Sequence, residues 1–339
     1  MLPVAKELAF TDVPVIDLAP LGSGAAADRR KVAEEIARAC REVGFLYIAN
    51  HGVDAAKVAA MFEAAEAFFG LSRALKDEVA ISKNPNFRGY LPLFTKGNDP
   101  NIKENLQEAF QIYRELSPED PRFGTPLHGA NPWPSAMPGL KAVMLSYFEA
   151  MTRLSQELLR LFALGLGLPE ERFLPFFKEP LDWLRLLHYP PQSDDESGEH
   201  IGTRAHTDSS AFTILAQGRL GGLQVYNLDG EWLEVPPIDG TFVINVGEIM
   251  KVWTAGIYTS TLHRVINRYG EERYSVPFFA TPDYDATIEP LLSHPDPSFV
   301  PPHYRSSMEM GKRVLCGDFI RYQQARIYPT APQPAALPT

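Results

Sequence analysis

The amino-acid sequence predicts an α+β fold built around a double-stranded β-helix (a jelly roll), with an N-terminal βα region and a long flanking helix. Three observations support this prediction. About the first eighty residues alternate between short apolar runs and stretches with helical spacing. Residues 141–165 carry the longest helical pattern. After about residue 180 the pattern changes to short apolar runs separated by glycine and polar turns, which is typical of a sandwich or jelly roll.

The N-terminal region begins with a predicted strand over residues 13–18, followed by a helix over 29–43 whose apolar residues recur at helical spacing. Residues 45–48 are aromatic and β-branched, which favours a buried strand. Asp54 is a suitable N-cap for a second helix that runs to about Phe69. Together these elements predict a βαβα layer.

Residues 82–138 are rich in proline, glycine and asparagine and are interrupted by a short segment at 104–114. A connection of this length usually covers something, so we expect a lid over the mouth of a pocket. Tyr90 and Phe94 are its candidate wall residues for contact with a substrate.

The second half of the chain contains the short runs that predict the jelly roll. They are residues 183–189, 212–216, 222–226, 231–235, 241–246, 259–266 and 273–280. We therefore predict an N-terminal region over 1–170 that packs on a core over 171–329. The last ten residues, 330–339, form a tail rich in proline and alanine that we expect to be disordered.

The composition is that of an ordinary globular protein, with 45% hydrophobic and 22% charged residues in a chain of 339. A net charge of -10 argues against a general nucleic-acid partner, which requires a basic surface. No stretch approaches the ~18 apolar residues that suggest a membrane span. The two cysteines have no metal-ligand or redox spacing. These features predict a cytoplasmic protein without a nucleic-acid or membrane partner, and they leave the oligomeric state open.

A candidate metal site begins with His206 and Asp208, which are two residues apart. On an extended strand their side chains point to the same face. A second imidazole from a distant strand would complete two nitrogen ligands and one oxygen ligand, with the opposite positions of the metal left open. This is the facial triad of non-haem Fe(II) oxygenases, and His263 is the candidate third ligand.

A second pair with the same spacing is Arg273 and Ser275, which face one side of their strand. A buried arginine requires an anion, which either an internal acid or a ligand carboxylate can supply. Tyr189 can add a phenolic hydrogen bond from the run 183–189. Arg185 lies four residues earlier on the same face, where an internal acid and a substrate carboxylate are equally suitable partners.

From about residue 12 to 328 the chain resembles the isopenicillin N synthase-like family of Fe(II)- and 2-oxoglutarate-dependent dioxygenases. Residues 13–18 and 44–53 resemble the N-terminal region of that family. Seven ordered motifs carry the rest of the resemblance. They are Tyr189-Pro190-Pro191, His206-Thr207-Asp208, Thr213-Ile214-Leu215, Gly221-Gly222-Leu223-Gln224-Val225, Asn245-Val246-Gly247-Glu248, His263-Arg264-Val265 and Arg273-x-Ser275.

The resemblance implies both the cofactors and the residues that bind them. The implied iron ligands are His206, Asp208 and His263. Arg273 and Ser275 would hold the distal carboxylate of 2-oxoglutarate, with Tyr189 assisting. Many plant members of the family have an asparagine two positions before this tyrosine, where the present chain has Leu187. This departure removes one polar contact near the co-substrate.

The implied activity is the oxidation of a small-molecule substrate with O2, in which 2-oxoglutarate is converted to succinate and CO2. Hydroxylation, desaturation and ring closure are all compatible with it. The protein contributes orientation and the exclusion of water. Phe279 is expected in the wall of the substrate pocket and not in the chemistry.

Three other functions are compatible with the same residues. An oxidase or cyclase of the same fold would use no 2-oxoglutarate and would bind a substrate carboxylate with Arg273 and Ser275. A non-catalytic ligand sensor would have no need of an open iron site. A zinc hydrolase could use two histidines and one acid, but no separate general-base motif is evident. Metal content and succinate formation would separate these functions.

Overall fold

Two β-sheets form the framework of the protein in a computed structural model, which describes residues 12–93, 106–191, 202–227, 229–267, 269–292 and 313–327. The strands are β1 Val15–Asp17, β2 Phe45–Ala49, β3 Gly89–Leu91, β4 Glu108–Tyr113, β5 Trp183–Tyr189, β6 Thr203–His206, β7 Phe212–Gln217, β8 Leu223–Tyr226, β9 Trp232–Glu234, β10 Thr241–Val246, β11 His263–Val265 and β12 Arg273–Ala280. The large sheet has the order β1-β2-β10-β7-β12-β5-β4-β3, and the small sheet has the order β6-β11-β8-β9.

Helices pack beside the sheets in the part of the chain that the structure describes. They are α1 Ala26–Glu42, α2 Ala55–Phe69, α3 Arg73–Asp77, α4 Leu140–Gly165, α5 Glu248–Trp253 and α6 Cys316–Ile327. Phe148 of α4 packs edge-on against Phe278 of β12, with ring centroids 5.2 Å apart. Phe68 of α2 packs on Phe110 of β4 at 4.6 Å. These contacts place the main hydrophobic core between the helices and the large sheet.

The other face of the large sheet is turned towards the small sheet. Successive side chains of a strand point to opposite faces, so Phe278 faces the helices whereas Arg273 and Ser275 face the small sheet. Contacts between the sheets confirm this arrangement. The side-chain amide of Gln217 donates to the carbonyl of Val235 at 3.1 Å, and Arg273 donates to the carbonyl of Gly221 at 2.6 Å.

The predicted fold class is confirmed, and most predicted elements are present. The strand expected at 13–18 is β1, and the helix expected at 29–43 is α1, which begins earlier, at Ala26. Asp54 caps α2 as predicted, because its carboxylate accepts a hydrogen bond from the backbone of Ala56 at 2.8 Å. The runs predicted in the second half correspond to β5 and β7 to β12.

The region 82–138 differs from the expectation of a lid. β3 pairs with β4 and β4 pairs with β5, all antiparallel, so both strands extend the large sheet. The apolar pattern of β4 is interrupted by Glu108 and Gln111, which are buried and hydrogen-bonded inside the protein. The sequence therefore lacks the regular pattern of a strand at this place. Residues 94–105, including Phe94, and the predicted disordered tail at 330–339 lie outside the described residues.

Within the described stretches, no helix is both long enough and apolar enough to cross a membrane.

Candidate metal centre

The three predicted iron ligands come together where β6 meets β11. His263 is the cross-strand partner of His206, the last residue of β6, and Asp208 follows in the next loop. One ligand atom from each residue lies within 4.8 Å of the others. The Nε2 atoms of His206 and His263 lie 3.5 and 3.7 Å from Oδ1 of Asp208. Two imidazole nitrogens and one carboxylate oxygen at these separations fit a single divalent metal ion.

Both imidazoles are oriented through their Nδ1 atoms. His206 donates from Nδ1 to the carbonyl of Arg204 at 2.7 Å, and His263 donates to the carbonyl of Thr261 at 3.1 Å. Since a carbonyl only accepts, each of these hydrogen bonds places a proton on Nδ1. In the neutral ring the lone pair is then on Nε2, where a metal would bind.

Asp208 is oriented through its second carboxylate oxygen. Oδ2 accepts hydrogen bonds from the Thr213 hydroxyl at 2.5 Å and from the Asn245 amide at 2.7 Å. Thr213 and Asn245 are neighbours across the β7–β10 pair, so the large sheet fixes both donors. Oδ1 is thereby turned towards the two imidazoles. The sequence motifs contained Thr213 and Asn245, but their role in holding the carboxylate was not predicted.

The charges of the protein suit a cation. Burial opposes ionisation of Asp208, but the charges of His263 and His206 and the hydrogen bond with His206 hold its pKa well below the usual range. Burial, and then repulsion by His206, lower the pKa of His263 to about 4, so this imidazole is neutral at pH 7. Burial opposes the charged form of His206, but the hydrogen bond with Asp208 raises its pKa. Metal binding requires an ionised carboxylate and neutral imidazoles, so a metal ion at this site would compete with protonation of His206.

A buried arginine forms a second part of the site. Arg273 is 1% exposed, is the cross-strand partner of Tyr189 and has its guanidinium 4.8 Å from the centre of that ring. Nε donates to the carbonyl of Gly221, whereas Nη1 is buried and has no hydrogen-bond partner among the described residues. Ser275, also buried, lies on the same strand face. A buried guanidinium nitrogen without a partner beside a hydroxyl fits the carboxylate of a ligand.

A glycine makes the contact to Arg273 possible. Gly222 has a φ of 103°, and a Cβ added there would lie 2.1 Å from the carbonyl oxygen of Ile266. Glycine is required here, because a side chain would disfavour this positive φ and would clash with the backbone of Ile266. The Gly221-Gly222 motif therefore brings a backbone carbonyl next to the arginine.

Arg185 points to the same side of the large sheet as Tyr189, as predicted. Its Nε and Nη2 donate to Oε1 of Gln111 at 3.1 and 2.6 Å, and its guanidinium lies 4.7 Å from the ring centre of Trp183. An amide is therefore among its partners, whereas the sequence predicted an internal acid or a substrate carboxylate. The positive charge of Arg185 opposes protonation of His206 and so acts to lower its pKa, which indicates that the two residues are close. Gln111 was not predicted, since only the β4–β5 register reveals it.

An aromatic cluster separate from the main core lies beside Arg185. Trp183 stacks on Phe279 with ring centroids 3.9 Å apart and on Tyr113 at 5.9 Å. Phe279 is on the site-facing side of β12, where the sequence placed it as a wall residue. Tyr90 does not face the site, so the prediction that it lies in the pocket wall was wrong. It lies on the helix-facing side, where its hydroxyl donates to Glu108 at 2.6 Å and its ring packs against Phe68.

Comparisons with known families and proteins agree with this geometry. The family model described as non-haem dioxygenase in morphine synthesis N-terminal matches residues 13–136, and the model of the 2OG-Fe(II) oxygenase superfamily matches residues 180–282. A homoarginine-6-hydroxylase of Glycine max is 35% identical over 304 residues, which cover 84% of this chain and 90% of the relative. The 2-oxoglutarate-Fe(II) type oxidoreductase hxnY of Emericella nidulans is 33% identical over 288 residues and covers 82% of each chain.

Solved structures share the fold over most of the chain. A full-length Neurospora crassa protein in complex with α-KG has a TM-score of 0.81 and 25% identity, and the match covers 93% of this chain and 96% of that chain. JOX2 in complex with 2OG, Fe and JA has a TM-score of 0.72 and 26% identity, with coverages of 95% and 86%. The jelly-roll core, the His-Asp-His cluster and these relatives together establish that the chain is a member of the non-haem Fe(II)- and 2-oxoglutarate-dependent oxygenase family.

Proposed function

We propose that His206, Asp208 and His263 hold the Fe(II) ion of this oxygenase and that Arg273 holds the distal carboxylate of 2-oxoglutarate. The convergence of the three ligand atoms within 4.8 Å of one another carries the first part. The buried Nη1 of Arg273, without a partner among the described residues, supports the second. Ser275 would add a hydroxyl to the same carboxylate, and Tyr189 would flank it.

The residues of the chain have separate tasks in this proposal. When bound, Fe(II) with 2-oxoglutarate and O2 supplies the oxidation, and succinate and CO2 are released. Thr213 and Asn245 hold Asp208 so that one oxygen faces the metal position. Burial of Arg273 and Ser275 keeps water from competing for the co-substrate carboxylate, which strengthens a charge-assisted hydrogen bond.

The substrate is proposed to bind on the Arg185 side of the metal ligands. Arg185 supplies a positive charge there, held in place by Gln111, and the stacked rings of Trp183 and Phe279 supply a flat apolar wall. A small molecule with an anionic or strongly hydrogen-bond-accepting group on an apolar body fits this combination. The Neurospora crassa structural relative binds thymine together with α-KG, which supports a small organic substrate.

The proposal is tested by metal content and succinate formation. We expect the purified protein to bind one Fe(II) per chain and to release succinate from 2-oxoglutarate in air. Asp208→Ala should lose both properties. Asp239→Ala removes a carboxylate from an exposed turn and is the matched control. If Asp208→Ala bound iron as tightly as the control, the ligand assignment would be wrong.

Three predictions from the sequence stay predictions. They are a boundary near residue 170, a cytoplasmic location and the lack of nucleic-acid and membrane partners. Strands from both sides of residue 170 share the large sheet, since β4 pairs with β5 and β2 pairs with β10. We therefore propose that the two regions fold as one unit.

A further inference from the structure

A second cluster of ionisable side chains lies directly behind the proposed co-substrate residues. His188 precedes Tyr189 in β5, and Glu272 precedes Arg273 at the start of β12. In the β5–β12 pair, Arg273 is opposite Tyr189 and Tyr274 is opposite His188. Because side chains alternate along a strand, His188 faces the helices while its neighbour faces the site. The two clusters therefore share the same short stretch of backbone.

His188 connects two carboxylates from different strands. Its Nδ1 lies 2.8 Å from Oε1 of Glu108 in β4, and its Nε2 is hydrogen-bonded to the carboxylate of Glu272. A neutral imidazole has only one N–H, so it would present a lone pair to one of the two carboxylates. The imidazolium has two N–H groups and can donate to both. The geometry thus matches the ionised ring.

The carboxylate of Glu272 is held in place mainly by His188, whereas the carboxylate of Glu108 has further partners. Glu108 is 3% exposed and also accepts from Lys76 of α3 at 2.9 Å and from the Tyr90 hydroxyl at 2.6 Å. The Glu272 side chain is 51% exposed, and its one described hydrogen bond is with His188. Loss of the His188 charge would therefore release Glu272 first. The titratable groups that face His188 and its ring neighbours from β3, β4, β12, α2 and α3 are Tyr90, Glu108, Glu272, Tyr274, Glu66, Arg73 and Lys76.

The imidazole is also fixed in place by packing. It is stacked on Tyr274 of β12 with ring centroids 4.9 Å apart and 18° between the planes, and it packs on Phe69 of α2 at 5.3 Å. His188 is 8% exposed. The ring therefore cannot follow Glu272 if that side chain moves.

We propose that ionised His188 is a positioning residue for 2-oxoglutarate. By bridging Glu272 and Glu108, the imidazolium fixes the backbone at the point where the chain enters β12. The position of the Arg273 guanidinium is thereby fixed as well. 2-Oxoglutarate binding is then strongest when His188 carries its proton, and it weakens as that proton is lost. This inference rests on the proposed role of Arg273.

The direction of the pH effect follows from the environment of the imidazole. Burial disfavours the imidazolium, but the hydrogen bonds and charges of Glu108 and Glu272 outweigh burial and raise the pKa of His188 above its ordinary value. A raised pKa in the folded protein means that the interaction is fully present below the ordinary value of about 6.5. It is lost as the pH rises through the raised value.

The test is the dissociation constant of 2-oxoglutarate, measured by equilibrium dialysis with the iron-loaded protein free of O2, from about pH 6 to about pH 9.5. We expect the wild type to bind roughly fivefold or more weakly at the upper end, the size of a typical coupling between sites. His188→Gln should bind 2-oxoglutarate weakly at every pH, without the decrease in affinity that the wild type shows as the pH rises. In Glu272→Gln the decrease in affinity should occur at lower pH, because one of the two carboxylates that raise the pKa of His188 is gone.

A neighbouring acid provides the matched control. Glu271 pairs with Arg219 at the surface, so Glu271→Gln removes the same charge one residue away. It should keep the wild-type pH profile. If His188→Gln does not fold, Glu272→Gln decides alone, because a half-exposed carboxylate can be replaced without unfolding. A Glu272→Gln profile identical to that of Glu271→Gln would overturn the inference.

The failure of this inference is distinguishable from the failure of the proposed function. If Arg273→Leu does not weaken 2-oxoglutarate binding, the proposed role of Arg273 is wrong, and the present inference falls with it. If Arg273→Leu weakens binding but the His188→Gln and Glu272→Gln proteins match the control, only the role of His188 is wrong. Nitrogen-15 NMR of labelled histidine gives a second readout. The resonance that disappears in His188→Gln should titrate at higher pH in the wild type than in Glu272→Gln.

Discussion

Replacement of Arg273 by leucine should weaken 2-oxoglutarate binding by about ten- to a hundredfold. Leucine has a similar apolar volume but no donor, so the carboxylate of the co-substrate would enter a buried pocket without a partner. A hydrogen bond to a charged group contributes about 1.5–3 kcal/mol, and each 1.4 kcal/mol corresponds to about tenfold in affinity. The 1% exposure of Arg273 keeps water from replacing the lost interaction. The 2-oxoglutarate affinity of Arg273→Lys should lie between those of the wild type and Arg273→Leu, because an ammonium keeps the charge but cannot form two parallel hydrogen bonds.

The assay is equilibrium dialysis of 2-oxoglutarate against iron-loaded protein without O2, together with iron content. Iron binding should be unchanged in Arg273→Leu, because the guanidinium is not among the metal ligands. Arg219→Leu is the matched control, since its side chain is 74% exposed and pairs with Glu271 at the surface. If Arg273→Leu bound the co-substrate as tightly as Arg219→Leu, the assignment of the pocket would be refuted.

Three further predictions concern other parts of the structure. Asn245→Ala should lower iron affinity about ten- to a hundredfold, measured by competition with a chelator, since it removes a hydrogen bond that orients Asp208. Arg185→Leu should raise the KM of the substrate far more than that of 2-oxoglutarate, measured by succinate formation. Burial raises the pKa of Asp182 to about 8, so the folded protein keeps this carboxyl protonated where the unfolded chain ionises it. The stability of the fold therefore falls as the pH rises towards about 8. Asp182→Asn should therefore raise the Tm at about pH 8 relative to wild type and flatten its pH dependence.

Each of these expectations has an outcome that contradicts it. Unchanged iron affinity in Asn245→Ala would mean that Thr213 alone orients the carboxylate. Equal effects of Arg185→Leu on both KM values would point to a structural role for that arginine. A lower Tm for Asp182→Asn at about pH 8 would show that the ionised carboxylate, which accepts from the backbone of Thr281 at 2.9 Å, is needed in the fold.

The sequence predicted the face of each strand that carries the site because strand periodicity is simple. Arg273 and Ser275 lie two residues apart, and the structure places both on the same side of β12. The pair His206 and Asp208 follows a related rule, although β6 ends at His206 and the carboxylate stands in the loop beyond it. His263 was found through the order of the motifs, since nothing in its local sequence says which strand it faces.

Contacts that depend on register were not predictable from the sequence. Gln111 reaches Arg185 because these two residues are cross-strand partners in the β4–β5 pair, 74 positions apart in the chain. Asn245 reaches Asp208 across 37 positions. Tyr90 was expected in the pocket wall because the length and composition of residues 82–138 suggested a lid, and β3, with only three residues, gave no strand pattern to correct this. Its place on the helix-facing side is set by its pairing with Phe110, which a single sequence does not reveal.

The most direct test of the metal and co-substrate assignment is the visible spectrum of the Fe(II) protein kept free of O2, before and after addition of 2-oxoglutarate. We expect a new visible absorption band in the wild type. No band should form in Asp208→Ala, which lacks a metal ligand, and in Arg273→Leu a band should form only at a much higher 2-oxoglutarate concentration. The absence of a band in the wild type, together with no succinate after O2 is admitted, would contradict the assignment of the metal and co-substrate residues.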